Sequence, residues 1–360
     1  MARIPAPLDP ASGQGHAPWL SRGKLAVLGT GAALPGPSVS SEALIALMAD
    51  RFGLTHTDAV AALAQRMAIR GRHLCRPFNA RRERPRPDQS NPALAAQAVK
   101  VALTDAGLDI DDIGYLIGHT ATPMQPLPAN VAHVADALGY GGPHLELRQA
   151  CTGFANALMI AFGLLAAPGA RPVVIVGSET GSLFFDPARL ADDPGQLVNM
   201  VQMGDGAAAL VLGPPASDRG SLHSAWYGSI GLNRAPGLQI FSDMAGDNHH
   251  DYAAILKSGA ALFEADRAAA AAHGVALDDA DLIIPHQASG RIGEQVAAHF
   301  HLAPERVFVN ADRLGNTGSA AIWIALAELR AGGLSSGARV LAFGAEATKY
   351  MYGGFVYDHA

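Results

Sequence analysis

Three residues, far apart in the chain, are of types that could do covalent chemistry together. Cys151 stands in Ala150-Cys151-Thr152-Gly153, just before the long apolar run Phe154 to Ala167. Backbone N–H groups unpaired at a helix start stabilise an anion, so a thiol there is expected to have a lowered pKa and to react as a thiolate. His286 closes the apolar stretch Ile283-Ile284-Pro285, where polar residues begin and an imidazole can face a pocket. Asn316, between Gly315 and Thr317, reads either as a helix N-cap or as an amide donor. A thiol, an imidazole and a carboxamide in one place can support nucleophilic acyl transfer and stabilise an oxyanion or enolate. Each also has a plainer reading, as a small buried hydrophobe, a core histidine and a cap, and Cys75 keeps the first of these.

An internal echo places the three. Tyr115-Leu-Ile-Gly-His119 resembles Leu282-Ile-Ile-Pro-His286, and Ala150-Cys151-Thr-Gly153 before an apolar helix resembles Gly315-Asn316-Thr-Gly318 before Ser319 to Arg330. Cys151 lies 32 positions after His119, and Asn316 lies 30 after His286. Glycine follows each helix (Gly169; Gly332-Gly333), then an apolar strand, Val173 to Glu179 or Arg339 to Glu346. Strands alternating with helices that are apolar all round predict a layered α/β body whose central helices are covered on both sides. The duplicated halves are expected about a pseudo-twofold axis, with Cys151 and Asn316 at equivalent helix starts.

Composition sets the limits. The 360 residues carry 32 acidic against 26 basic side chains, a net charge of −6, which speaks against a nucleic-acid surface. At 49% hydrophobic and 16% charged the chain is expected to be globular. The longest apolar run is too short for a bilayer, which takes about 20 residues. Two cysteines make neither a disulfide framework nor a structural zinc site, and no leader sequence is evident, so a cytoplasmic protein without metal or cofactor is expected. Residues 1–22, with four prolines, are read as a flexible extension, 23–213 as one half and 214–360 as the other. Gly29-Thr-Gly31 is a weak dinucleotide signal, because Leu34-Pro35 stands where a third glycine is needed. Arg70 to Asn91 is basic and proline-rich, either a solvated loop or a mouth for phosphates. Asp247 to Asp251 reads as a polar loop rather than a metal site.

With these motifs in order the chain resembles the 3-oxoacyl-carrier-protein synthase III enzymes of the thiolase-like superfamily. The nucleophile, histidine and asparagine fall on Cys151, His286 and Asn316, supported by Ile69-Arg70-Gly-Arg72-His73, Val176-Gly-Ser-Glu179 and Met203-Gly-Asp205-Gly206. The resemblance runs from about Lys24 to the C-terminus and implies a five-layered αβαβα homodimer. Acyl and malonyl thioesters of acyl carrier protein or coenzyme A are its implied partners, with no membrane or nucleic acid involved. An acyl group would pass to Cys151, and a malonyl-type thioester would lose carbon dioxide and condense with it to a 3-ketoacyl product.

The resemblance further marks Arg66, Arg70 and Arg291 as phosphate-binding candidates, Ser289 as the pantetheine contact replacing an asparagine, and Leu127 as the residue that crosses a dimer interface to floor the acyl pocket. Several positions depart from pattern. Gly344-Ala345-Glu346-Ala347 replaces a glycine run and brings a carboxylate toward the pocket, Ala62 stands for an adenine-stacking tryptophan, and Glu264 for a lysine. Arg148-Gln149 replaces small residues before the nucleophile. These changes suggest a specialised relative. Two other outcomes stay open: transfer from Cys151 to a hydroxyl or amine, and a non-catalytic partner subunit. A papain-like protease has the same order of residues, but its cysteine neighbours a second cysteine and a tryptophan, and Thr152-Gly-Phe154 shows neither.

Overall fold

In the computed structural model the described residues are 17–21, 23–240 and 248–360. The chain runs β1 (Trp19–Leu20), β2 (Lys24–Ala33), β3 (Val39–Ser40), α1 (Ser41–Phe52), α2 (Thr57–Met67), β4 (Gly71–Arg72), α3 (Asn91–Ala106), β5 (Tyr115–His119), α4 (Asn130–Leu138), β6 (His144–Leu147), α5 (Gly153–Leu165), β7 (Val173–Glu179), α6 (Pro194–Gln202) and β8 (Gly206–Gly213). It continues through β9 (Ser221–Ser229), β10 (Leu238–Ile240), β11 (Asn248–His250), α7 (Tyr252–Ala272), β12 (Leu282–Pro285), α8 (Ile292–Phe300), α9 (Ala311–Leu314), α10 (Ala321–Ala331), β13 (Arg339–Glu346) and β14 (Met351–Asp358).

Strand order repeats the echo. One end of the main sheet runs β6-β5-β7-β8-β2 and the other β12-β13-β14-β9, with β1 pairing on β9. In each half a parallel pair, β5 with β7 or β12 with β13, is followed by two antiparallel steps. Even β6, parallel to β5, has its counterpart in a single parallel bridge between Ile283 and Val307. The fold is five-layered. Outer helices α3 and α4 pack on the first half-sheet through Ala98, Val99, Val131 and Val176. On the far face α7 and α8 pack on the second through Leu262, Val296 and Leu341.

Between the sheets lie α5 and α10. Phe154, Leu158, Ile322, Trp323 and Leu326 join residues of both sheets in one cluster, which is why these helices can be apolar on every side. Phe154 meets Trp323 edge-on at 5.5 Å, and burying such a ring contributes about 1.5–3 kcal/mol. α5 stops at Leu165, earlier than Gly169, which instead supplies a left-handed turn (φ 71°) before β7.

Packing accounts for the Gly29-Thr-Gly31 signal. A Cβ at Gly29 would lie 2.3 Å from the Ala102 carbonyl and one at Gly31 2.4 Å from the Ala102 nitrogen, so both glycines let β2 press against α3. Two local expectations are corrected. Trp19 and Leu20 form a strand against Tyr227 and Trp226, because the prolines end at Pro18 and Trp19 packs on Phe162; residues 1–16 and 22 lie outside the described set. Asn248–His250 is a strand paired with β10 rather than a loop, since two short extended segments satisfy each other's backbone, and Asp247 lies outside the described residues.

Candidate active site

Cys151 leaves β6 through Arg148-Gln149-Ala150 and precedes Thr152, the N-cap residue of α5. Gly153 is required here: a Cβ would approach His119 Nδ1 to 2.6 Å. The helix start is already occupied by an anion. Glu346, at the end of β13, accepts the Thr152 N–H at 2.9 Å and the Thr152 hydroxyl at 2.7 Å through Oε2, and the Thr348 hydroxyl through Oε1.

This corrects the expected thiolate. Burial pushes the Cys151 thiol well above its ordinary pKa, and the carboxylates of Glu346 and then Glu179 push it further. The α5 N-terminus stabilises the carboxylate of Glu346 instead of the sulfur.

His286 follows the last residue of β12, and its N–H donates to the Phe343 carbonyl on β13 at 2.7 Å. Gln287, fully buried, holds the turn beyond it by donating to the Pro285 and Phe308 carbonyls and accepting from the Asn310 N–H. Burial lowers the His286 pKa to about 4, so the imidazole is neutral at pH 7. Its Nδ1 has no hydrogen-bond partner among the described residues.

Asn316 is held at the backbone. Its N–H donates to the Gln202 carbonyl at 2.8 Å and its carbonyl accepts the Gly204 N–H at 3.1 Å. Gly204 allows this contact, since a Cβ there would fall 1.8 Å from the Leu314 carbonyl. Asn316 Oδ1 accepts the Gly318 N–H at 3.0 Å, which turns the Nδ2 hydrogens into the side chain's free donors. Gln202 also donates from Nε2 to the Ala288 carbonyl at 2.8 Å, so one residue ties the His286 turn to Asn316. Sequence reasoning missed Gln202, although it directly precedes the quoted Met203-Gly-Asp205 motif.

Cys151, His286 and Asn316 line one cavity of about 400 Å³, whose far wall is apolar, with Leu262, Phe263, Ile292 and Val296. Residues 145–229 match the family described as 3-Oxoacyl-[acyl-carrier-protein (ACP)] synthase III, and residues 270–357 match its C-terminal part. The chain is 31% identical over 324 residues to beta-ketoacyl-[acyl-carrier-protein] synthase III of Bradyrhizobium diazoefficiens, covering 85% of this chain and 90% of that protein. It belongs to the 3-oxoacyl-carrier-protein synthase III family. Among solved structures, AbyA1, a tetronic acid condensing enzyme, superposes with a TM-score of 0.80 at 27% identity, covering 92% of this chain and 99% of that one. The FabH 3-oxoacyl-(acyl carrier protein) synthase III of Pseudomonas aeruginosa PAO1 gives 0.77 at 27%, covering 94% and 98%. The chain is thus a transferase with the thiolase-like fold of this synthase family.

Of the substrate-binding candidates, Arg66, Arg70, Leu127, Ser289 and Arg291, none lines that cavity. Arg291 donates from Nε to the Arg66 carbonyl at 3.0 Å and pairs with Glu294 at 2.9 Å, so Arg66 and Arg291 share one rim beside the start of α8. Arg70 pairs with Asp312. Ser289 lies in the turn between His286 and that rim, its carbonyl accepting the Ile292 N–H. Leu127 is 84% exposed.

The basic segment is not one loop. Arg72 is buried and donates to the Met200 carbonyl and the Ser41 hydroxyl, and Arg76 is buried against the Ser182 and Phe185 carbonyls with Phe78 under its guanidinium. Arg81 pairs with Asp186. These three arginines hold chain segments together rather than a phosphate. Among the described residues no three His, Cys, Asp or Glu side chains converge as metal ligands.

Proposed function

We propose that this chain is a condensing enzyme whose reaction has two halves. In the first, Cys151 Sγ attacks the carbonyl carbon of an acyl thioester. The bond from that carbon to the carrier sulfur breaks, and the proton lost by Cys151 ends on the released carrier thiol. In the second, a malonyl-type thioester loses its carboxylate as carbon dioxide. The electron pair of the broken C–C bond becomes an enolate, whose carbon attacks the acyl-Cys151 carbonyl. A 3-ketoacyl thioester leaves, and the Cys151 sulfur takes up a proton.

The enolate carries its charge on the thioester oxygen, where N–H donors from a neutral His286 and from Asn316 Nδ2 lower its energy. A neutral imidazole suits this role, since it can donate one N–H without bringing a positive charge. The convergence of thiol, imidazole and carboxamide on one cavity carries the proposal. Arg66 and Arg291 are the phosphate contacts in this reading, with Arg70 after release from Asp312, and Ser289 the pantetheine contact; coenzyme A or carrier protein presents the thioesters.

Two copies of the chain form the working unit in this reading. An apolar side chain as exposed as Leu127 favours cover by a second surface. The halves 23–213 and 214–360 each supply one copy of the strand-and-helix unit. No described helix is long and apolar enough to cross a membrane, and both cysteines are free, which supports action in the cytoplasm.

Intact-mass measurement tests the reading. Incubation with coenzyme A and carrier-protein thioesters should add one acyl group to the wild type and none to Cys151→Ala. Adding malonyl thioester should then release carbon dioxide and a product extended by two carbons. Loading without carbon dioxide release would convert the proposal to simple acyl transfer, and no loading by any donor would end it.

A further inference from the structure

Glu346 is 1% exposed and is among the residues lining two cavities. The first is the cavity of Cys151. The second, about 360 Å³, lies along Gln125, Arg148 and Gln149 and shares Ala150, Leu238, Glu346 and Thr348 with the first. A chain attached to Cys151 and passing between the two would run past these shared residues, and the Glu346 carboxylate is bonded to Thr152, the residue directly after the nucleophile.

The carboxylate is fixed and has capacity to spare. Oε2 takes both Thr152 donors, while among the described residues Oε1 takes only the Thr348 hydroxyl. An ionised carboxylate can accept about four hydrogen bonds, so one acceptor position remains. Thr152 is itself held from behind by Gln149 Nε2 at 3.0 Å, and Gln149 also donates to the Tyr227 hydroxyl and accepts from Asn156 Nδ2. The wall therefore cannot turn away from an incoming group without breaking several bonds.

An alkyl chain laid against this carboxylate would offer no donor to the remaining acceptor position of a buried charge. A hydroxyl on the chain would supply a charge-assisted bond. A carboxylate on the chain would be repelled by Glu346. A cationic chain would meet the Arg148 guanidinium, which shares the second cavity. A neutral donor is repelled neither by Glu346 nor by Arg148, which pairs with Glu146 at 2.9 Å.

We infer that Glu346 selects the acyl group loaded on Cys151, and that the substrate class is an acyl thioester carrying a hydroxyl on C2 or C3, beside the thioester carbonyl. The inference rests on the proposed acyl-Cys151 reading. The covalent step is the same transfer: the new Cys151 thioester forms, the donor thioester breaks, and the hydroxyl takes no part except as a donor to Oε1.

Matched pantetheine thioesters, lactyl against propionyl and 3-hydroxybutyryl against butyryl, test this by time-resolved intact mass of the full chain. The wild type should load at least one hydroxylated member about tenfold faster than its partner, the size of one hydrogen bond to a charged group. In Glu346→Gln, which keeps an acceptor for Thr152 but loses the charge, the ratio should fall to within about threefold. Equal loading in the wild type, or a ratio unchanged in Glu346→Gln, overturns the inference and leaves the acyl-Cys151 reading standing. No loading by any of the four thioesters while a donor of the previous test does load overturns the inference alone; no loading by any donor at all removes that reading and the inference with it. The wild-type ratio decides alone if the variant fails to fold.

Discussion

The two halves of the molecule are built on one plan and do different things with it. β5 ends in His119 and β12 runs into His286, yet Trp323 Nε1 donates to His119 Nε2 at 3.1 Å inside the core, while His286 faces the cavity. Gly177 and Gly344 match in the same way. A Cβ at Gly177 would lie 2.3 Å from the Ser319 carbonyl, and one at Gly344 2.5 Å from Phe154, so each glycine lets the central helix segment of the other half close in. The strand ends cross over too: Glu179 on β7 accepts the Ser319 N–H ahead of α10, and Glu346 on β13 accepts the Thr152 N–H ahead of α5. Duplication supplies the scaffold, and what fills the space before each strand end decides whether a side chain packs or reacts.

The largest break in that comparison should come from the paired helix starts. Cys151→Ser should reduce acyl loading on the order of 10⁴-fold or more, read by intact mass. Asn316→Ala, at the matching position, should leave loading within about tenfold and slow carbon dioxide release by about 10²–10³-fold. Equal loss of both half-reactions in the two variants would mean that the two starts do not divide the chemistry.

The glutamates should divide between stability and reactivity. Glu179→Ala removes the acceptor of the Ser319 N–H and of the Thr122 hydroxyl, while the Ser319 hydroxyl keeps the Gln149 carbonyl. It should cost about 2–4 kcal/mol in denaturant unfolding. Glu346→Gln removes one cause that raises the Cys151 pKa, so the pH profile of Cys151 alkylation should move to lower pH, with faster alkylation at neutral pH. A profile moving to higher pH would contradict the charge relation between the two groups.

The histidines sharpen the comparison last. Burial holds His286 at about 4 and His119 at about 3, so imidazole NMR signals of both should stay in the neutral form from pH 8 to pH 5. Unfolded histidine protonates near 6.5, so the folded state binds fewer protons below that pH. Stability from these groups is therefore present above about pH 6.5 and lost as pH falls toward 4. A midpoint near 6.5 for His286 alone would show a water-filled pocket in the second half.

Much of this was legible in the chain itself. The repeated strand-and-helix unit, the layered fold and the three residues around one cavity follow from apolar periodicity and from motif spacing, which are properties of neighbouring residues. Other readings failed for a shared reason. Arg72 looks solvated among other arginines until Met200, 128 positions on, accepts its hydrogen bond. Gly29-Thr-Gly31 reads as no more than a weak nucleotide signal, and what its glycines do instead is seen only with α3 against them.

Which residues alternate, repeat and could react was thus written in the order of amino acids, because those patterns act over a few positions. The state of each reactive group was decided by folding. Cys151 sits where a helix start favours an anion, but a carboxylate 194 residues beyond Thr152 takes that place, and charge and burial act through space rather than along the chain.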